Sequence, residues 1–306
     1  MNSPIHLKEL ACTGLRIPEV GLGTWNYHGG PIPLRRGLEA TAGFIDTAES
    51  YGTESVVGEA VRGIRDQVFI ATKVSPEHFR SDDLRRSADS SLKSLGIDHI
   101  DLYQLHEPSA TVPIEETMGE LENLANAGKI RYIGVSNFSI EQLARAQKAL
   151  TKHRIVSNQV RYSLIDRTIE SGLLTYCRKN YITVIAYSPL GREFSRIGDC
   201  DPSNVIGHLA SITGKTPAQI VINWCLCKDG VLAIPKGNST EHILENCGAS
   251  GWRLSPEQLL LLDSRIQYRR RNRFDTLIRR WTPQVLRMIG KQAVSVLPRR
   301  LRRRIH

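Results

Sequence analysis

Short apolar runs alternate with amphipathic stretches from about residue 17 to residue 250. Read as strands, the runs are Glu19–Gly23, Phe44–Asp46, Val68–Lys73, Ile100–His106, Tyr132–Ser136, Ser157–Val160, Thr183–Tyr187 and Leu232–Pro235, eight in all. Runs this short and this apolar suit strands covered on both faces, as in a parallel sheet. Between them the apolar period lengthens to that of a helix. The clearest helix is Ser81–Leu95, with Leu84, Ala88, Leu92 and Leu95 on one face. Ser81 is expected as its N-cap, Asp82 and Asp83 complement the helix dipole, and Gly96 is the stop. Ile114–Ala127 before Gly128, Ser139–Leu150 and Pro217–Cys227 follow the same logic.

Strands that alternate with helices imply βαβ units and a parallel sheet. Eight such units in about 240 residues fit an α/β fold of the (β/α)₈ TIM barrel type. The competing architecture, an open doubly wound sheet, carries a G-x-G-x-x-G turn after its first strand. Here the Gly-x-Gly at Gly21–Gly23 runs instead into Thr24, Trp25 and Asn26. A β-hairpin over residues 5–18, turning at Thr13 and Gly14, is expected to plug the bottom of the barrel. The barrel domain is placed at residues 1–263, and a basic helical C-terminal extension at 264–306.

Catalytic groups in such a barrel sit at the C-terminal ends of strands. Four polar residues lie at or just beyond three adjacent strand ends: Asp46, Tyr51, Lys73 and His106. A free tyrosine hydroxyl titrates near 10, too high for an effective acid at neutral pH. A nearby ammonium stabilises the phenolate, so Lys73 is expected to lower the Tyr51 pKa. Asp46 would hold Lys73 in place and charged, and His106 would hydrogen-bond and orient a carbonyl oxygen. Tyr51 would then protonate that oxygen as hydride reaches the carbon. A Schiff-base lyase built on Lys73 fits less well, because it needs a deprotonated amine and Asp46 opposes one.

These segments resemble the aldo-keto reductase family: VGLGTW (20–25), GFIDTAESYG (43–52), TKV (72–74), SLKSLGIDHIDLYQLH (91–106), IRYIGVSNF (130–138), NQVRYS (158–163), VIAYSPLG (184–191) and IPKGNSTEHILEN (234–246). They follow the family's order and cover roughly residues 5–263. The resemblance implies a catalytic tetrad of Asp46, Tyr51, Lys73 and His106. It implies NADPH as cofactor, with NADH admitted, and reversible reduction of an aldehyde or ketone. The nicotinamide positions fall on Gly23, Thr24, Trp25, Asp46, Ser136, Asn137, Gln159 and Tyr187, with Tyr187 offering an aromatic face to the ring. Ser136, Asn137 and Gln159 are expected on the carboxamide, and Ser188, Pro189, Leu190 and Gly191 along the pyrophosphate. Ile234, Lys236, Gly237, Asn238, Ser239, His242, Glu245 and Asn246 are expected at the adenosine end, with Lys236 on the 2′-phosphate.

Two positions depart from the family's common pattern. His242 stands where arginine is frequent, and histidine is only partly charged near neutrality. Gly237 stands where serine is frequent. NADPH is still expected to be preferred, by a narrower margin. Trp25, Tyr27, Tyr51 and His106 are expected to meet the substrate, with Trp25, Tyr27, Glu107 and Pro108 at the entrance. No metal is implied. A cofactor-binding regulatory or sensor subunit with little turnover is the second reading, and the intact tetrad argues for the enzyme.

Charge separates the two ends of the chain. Residues 264–306 hold fourteen arginines and lysines against one acid, whereas the formal net charge of the whole is +10. A mildly acidic body therefore carries a strongly basic tail. Within it Thr282 and Pro283 read as a helix start, and Leu286, Ile289, Ala293 and Val296 form an apolar stripe. Basic charge beside this stripe and Trp281 suits an anionic membrane surface. A solvated extension is the alternative, and nucleic acid, which would attract the arginines through its phosphates, is less favoured. The six cysteines show no C-x₂-C pair and read as free thiols of a reducing cytosol. With no signal-peptide pattern at MNSPIHLKEL and no apolar run of about 18 residues, a cytoplasmic protein is expected, peripheral at a membrane if the tail binds lipid.

Overall fold

The computed structural model describes residues 5–41, 43–191 and 194–269. Strands β1 (Leu7–Glu9) and β2 (Arg16–Pro18) form an antiparallel hairpin. Eight parallel strands follow: β3 (Leu22–Gly23), β4 (Phe44–Asp46), β5 (Phe69–Val74), β6 (Ile100–Leu105), β7 (Ile130–Ser136), β8 (Ile155–Arg161), β9 (Thr183–Tyr187) and β10 (Val231–Ile234). Each pairs with its neighbours in sequence, as repeated right-handed βαβ crossovers require.

The sheet closes on itself. Val20 makes a parallel bridge to Ala233, and the Gly21 and Gly23 amides donate to the carbonyls of Ala233 (2.9 Å) and Pro235 (3.0 Å). The first barrel strand was expected at Glu19–Gly23, and its regular part is only β3. It is squeezed against the barrel wall: a Cβ on Gly21 would lie 2.3 Å from the Phe44 ring. The result is a (β/α)₈ barrel ringed by helices, the fold expected from the alternation of elements.

The helix Ser81–Leu95 has the expected bounds, and Gly96 ends it with φ 64°. Its N-cap differs from expectation. Arg80, in an extended conformation, holds the cap position, and Ser81 is already helical. The Ser81 amide donates to Glu116 Oε1 (3.2 Å), so a neighbouring helix supplies the acceptor that a capping side chain would have provided. Helices Ile140–Lys148 and Pro217–Leu226 begin with reciprocal capping boxes, Ser139 with Gln142 and Thr216 with Gln219.

Two apolar layers and a small cluster of Val20, Ile222, Leu226, Ala233 and Ala249 make the core. The larger lies between barrel and helices. The smaller fills the barrel's lower end, where Leu10 and Ile17 of the hairpin meet Phe44, Phe69, Leu102, Val156, Ile185 and Leu232. Burying these two hairpin side chains contributes about 1.5–3 kcal/mol each. The Ala11 amide also donates to Thr183 Oγ1 at 2.7 Å. The hairpin therefore closes the bottom, and the open end of the barrel is the one formed by the strand C-termini.

Helix Pro256–Arg265 runs across residue 263, with Leu262 and Ile266 buried. Beyond it the Tyr268 ring lies 4.3 Å from the Arg167 guanidinium. The greater part of the expected basic extension, 270–306, is outside the described residues, including Trp281, Leu286 and Val296. Among the described residues no helix is long and apolar enough to cross a membrane.

Candidate active site

Asp46 ends β4, Lys73 is the penultimate residue of β5, and His106 follows β6 directly. Parallel pairing brings the ends of these three strands side by side. Tyr51 reaches the same place from a short 3₁₀ turn, Glu49–Tyr51, which Gly52 ends with φ 67°. Asp46, Tyr51 and His106 line a cavity of about 510 Å³, and the buried Lys73 ammonium reaches Asp46 and Tyr51 from behind its wall.

Lys73 is fully buried. Its ammonium donates to Asp46 Oδ1 (2.5 Å), the Thr47 carbonyl (2.8 Å) and the Tyr51 hydroxyl (3.5 Å). Asp46 Oδ2 accepts from Gln159 Nε2 (2.7 Å) and Gln104 Nε2 (3.1 Å). A buried ion pair is tolerable only when its remaining valences are met, and here they are. Burial alone would lower the Lys73 pKa, but Asp46 and Tyr51 outweigh it and raise it, so the ammonium stays charged.

The Tyr51 hydroxyl lies 3.3 Å from His106 Nε2, with the rings edge to face at 5.4 Å. Its pKa contradicts the expectation of a lowered value. Burial pushes the phenol above its ordinary range, and Lys73, the opposing influence, does not overcome this. Tyr51 is therefore held in its protonated form, beside the charged Lys73 ammonium. His106 is pushed down to about 4, by burial first and by Lys73 second, so the imidazole is neutral near pH 7. Its Nδ1 lies 3.4 Å from Ser50 Oγ.

A second polar network lines the wall. Tyr187 donates to Asn137 Oδ1 (3.0 Å). Asn137, with φ 63°, donates through Nδ2 to Ser136 Oγ (3.1 Å) and the His106 carbonyl (3.3 Å). Ser136 Oγ donates to the Gln159 carbonyl (2.9 Å). This network fixes the Tyr187 ring at the cavity wall. Gly23, Thr24, Trp25, Ser188, Pro189, Leu190, Gly191, Ile234 and Lys236 line the same cavity. Thr24 contributes little through its side chain, which is buried on the Asp46 carbonyl (3.1 Å).

The residues expected at the adenosine end beyond Lys236 lie just before and along helix Thr240–Cys247, outside the cavity lining. Ser239 caps that helix by accepting from the His242 amide (3.3 Å). The His242 side chain is exposed. Asn246 Nδ2 donates to the Lys236 carbonyl (3.5 Å), and Asn238 Oδ1 accepts from the His28 amide (3.3 Å). Gly237 has a steric reason: a Cβ there would lie 2.9 Å from the Ile243 nitrogen.

Tyr27 is a correction. It was expected at the entrance, but it is 5% exposed and its hydroxyl donates to the Gly30 carbonyl (2.7 Å). An apolar ring with one satisfied hydroxyl packs better under the loop than in solvent. Trp25, by contrast, stands 53% exposed beside the cavity. Ser50, Arg161 and Phe194 line the cavity without having been expected. Arg161 carried a usable signal: it shares the inward face of β8 with Ser157 and Gln159 by the two-residue period of a strand.

A family model described as the Aldo/keto reductase family matches residues 19–267. The chain is 35% identical to methylglyoxal reductase YeaE of Escherichia coli (strain K12), over 81% of this chain and 90% of that protein. It is 39% identical to aldo-keto reductase YhdN of Bacillus subtilis (strain 168), with the same two shares. Among solved structures, an aldo/keto reductase from Klebsiella pneumoniae in complex with NADP and acetate superposes with a TM-score of 0.75. That match has 38% identity and covers 84% of this chain and 95% of that one.

Proposed function

The chain belongs to the aldo/keto reductase family and is an NADP(H)-dependent carbonyl oxidoreductase, and from that premise we propose that Tyr51 is its proton donor, Lys73 and Asp46 the pair that readies it, and His106 the group that orients the carbonyl. One observation carries this reading: the Tyr51 hydroxyl stands between the Lys73 ammonium (3.5 Å) and the His106 imidazole (3.3 Å) on the cavity floor.

The residues present suit a nicotinamide dinucleotide. The Tyr187 ring is held rigidly beside Asn137, and Lys236 lies on the cavity wall with no acid paired to it among the described residues. The dinucleotide, when bound, supplies hydride to the carbonyl carbon. Neutral His106 donates from Nε2 to the carbonyl oxygen and fixes its direction. The Ser50 hydroxyl on Nδ1 favours that tautomer. Tyr51, protonated because it is buried, gives its proton to the same oxygen. The phenolate left behind is stabilised by the Lys73 ammonium, whose charge Asp46 maintains. Lys236 is assigned to the 2′-phosphate that distinguishes NADPH from NADH.

The test is consumption of NADPH against a panel of small aldehydes and ketones, beginning with methylglyoxal because of the name YeaE carries. Turnover by the wild type and its collapse in Tyr51→Phe are expected. Absence of turnover on every carbonyl, or an unaffected Tyr51→Phe variant, refutes the assignment.

For the segment 264–306 the proposed partner is an anionic membrane surface, on the strength of its fourteen basic residues and apolar stripe. Co-sedimentation with phosphatidylserine vesicles should be lost when residues 270–306 are removed. Equal sedimentation of both forms rejects the lipid partner.

A further inference from the structure

Arg161 ends β8, in register with Tyr187 of β9, and lines the same cavity as Tyr51 and His106. Its side chain is half-buried, and its Nε is shut off from solvent with no hydrogen-bond partner. The guanidinium lies 5.7 Å from the Tyr187 ring centroid. Among the described residues it makes no ion pair. The other inward-lying arginines differ: Arg65 meets Asp101 at 2.8 Å and Arg167 meets Asp263 at 2.9 Å. Two described acids line the same cavity: Asp46 is committed to Lys73, and Glu107 makes no ion pair with Arg161. A guanidinium carries its charge at every accessible pH, and withdrawing it from water without a counter-charge is costly. Among the described residues, then, this cation of the reaction chamber has no counter-ion. The planar fork of donors matches a carboxylate or a phosphate.

We propose that Arg161 is the anion-recognition residue of this site and binds a charged oxygen group, either a carboxylate carried by the carbonyl substrate or a phosphate of the dinucleotide. The proposal rests on the reading of the cavity as the carbonyl-reducing site. It makes Arg161 a specificity determinant: an oxo-acid or a semialdehyde acid would be preferred over a neutral aldehyde of the same length if the anion is the substrate's. The half-buried position of Arg161 at the strand end, two residues beyond Gln159 on the same face, puts it within the chamber.

The experiment compares full-length wild type, Arg161→Met and Arg161→Lys with butanal and with succinic semialdehyde, which differ by a terminal carboxylate. NADPH affinity is measured separately by fluorescence titration without substrate, and thermal unfolding is followed without any ligand. If the anion is on the substrate, the ratio of kcat/KM for succinic semialdehyde over butanal falls roughly ten- to a hundredfold in Arg161→Met, the size of a charge-assisted hydrogen bond, and Arg161→Lys recovers part of it. If it is on the dinucleotide, the Kd for NADPH rises by a similar factor and the substrate ratio holds. In either case the ligand-free Arg161→Met melts no lower than wild type, because no native ion pair is lost. An unchanged ratio together with an unchanged NADPH Kd overturns the proposal, as does a lowered ligand-free melting temperature, which would make the arginine a structural support. Failure of wild type to reduce butanal would instead strike the reading of the cavity, so the two failures are distinguishable.

Discussion

Replacing Lys73 with methionine keeps most of the side-chain volume and removes the ammonium. Asp46 Oδ1 then loses its donor, and the Thr47 carbonyl loses one at 2.8 Å. Two glutamine donors remain on Oδ2, at 2.7 and 3.1 Å, so the stranded carboxylate is only partly satisfied. Breaking a buried pair from one side costs about 3–5 kcal/mol, and the glutamines favour the lower end. For a chain of this size that lowers the melting temperature by about 6–12 °C. Adding Asp46→Asn removes the stranded charge, so the double variant should regain at least about half of the loss. Turnover should not follow stability. Lys73→Met leaves the phenolate of Tyr51 without its cation, and kcat should fall by about two to three orders of magnitude in both the single and the double variant. Urea unfolding followed by circular dichroism, and NADPH oxidation at saturating aldehyde, measure the two effects. A Lys73→Met protein as stable as wild type, or a double variant no more stable than the single, would refute the buried-pair argument. Recovery of turnover in the double variant would refute the role of the ammonium in catalysis.

Tyr51→Phe should lower kcat by about 10²–10⁴ while binding of NADPH, read by fluorescence titration, changes little, since the hydroxyl acts on the carbonyl oxygen. His106 has a folded pKa of about 4 against an unfolded value near 6.5, so below pH 6.5 the unfolded chain binds the extra proton and stability falls until about pH 4. His106→Gln should therefore lose less stability across that window than wild type, by at most about 3 kcal/mol in urea titrations at several pH values, and equal acid sensitivity would contradict the neutral imidazole. Lys236→Ala should reduce the kcat/KM ratio of NADPH to NADH by roughly tenfold, and His242→Arg should raise it; an unchanged ratio in both would remove these residues from phosphate recognition.

The barrel was legible because its strands are buried on both sides. Runs such as Ile100–Leu105 have no polar face to obscure their bounds, and the glycine after Leu95 marks a helix end by conformation alone. The convergence of these side chains was legible for a topological reason: in a parallel barrel, consecutive strand ends are spatial neighbours, so Asp46, Lys73 and His106 had to come together. Tyr27 was misplaced because an aromatic next to Trp25 looks like a rim residue, and only the loop's return at Gly30 decides that its hydroxyl turns inward. Ser81 was misplaced for a similar reason: the acceptor that satisfies its amide, Glu116, lies 35 residues away. Arg161 was passed over because a lone arginine is normally paired, and that no carboxylate meets it among the described residues is seen only in the packed structure.

The sign of the Tyr51 shift shows how one cause governs three protonation states. Exclusion of water raises the phenol, lowers the imidazole, and would lower the ammonium if Asp46 were not beside it. Each result is the form that the proposed mechanism requires: Tyr51 with a proton to give, His106 neutral and able to donate without holding full charge, and Lys73 charged. In the proposed reaction Lys73 acts after the proton has gone, as the partner of the phenolate. An acid made ready by a lowered pKa would have been partly spent at neutral pH. A buried phenol beside a fixed cation is fully loaded before the reaction and stabilised during it, and the fold achieves this by placing Asp46, rather than solvent, against the ammonium.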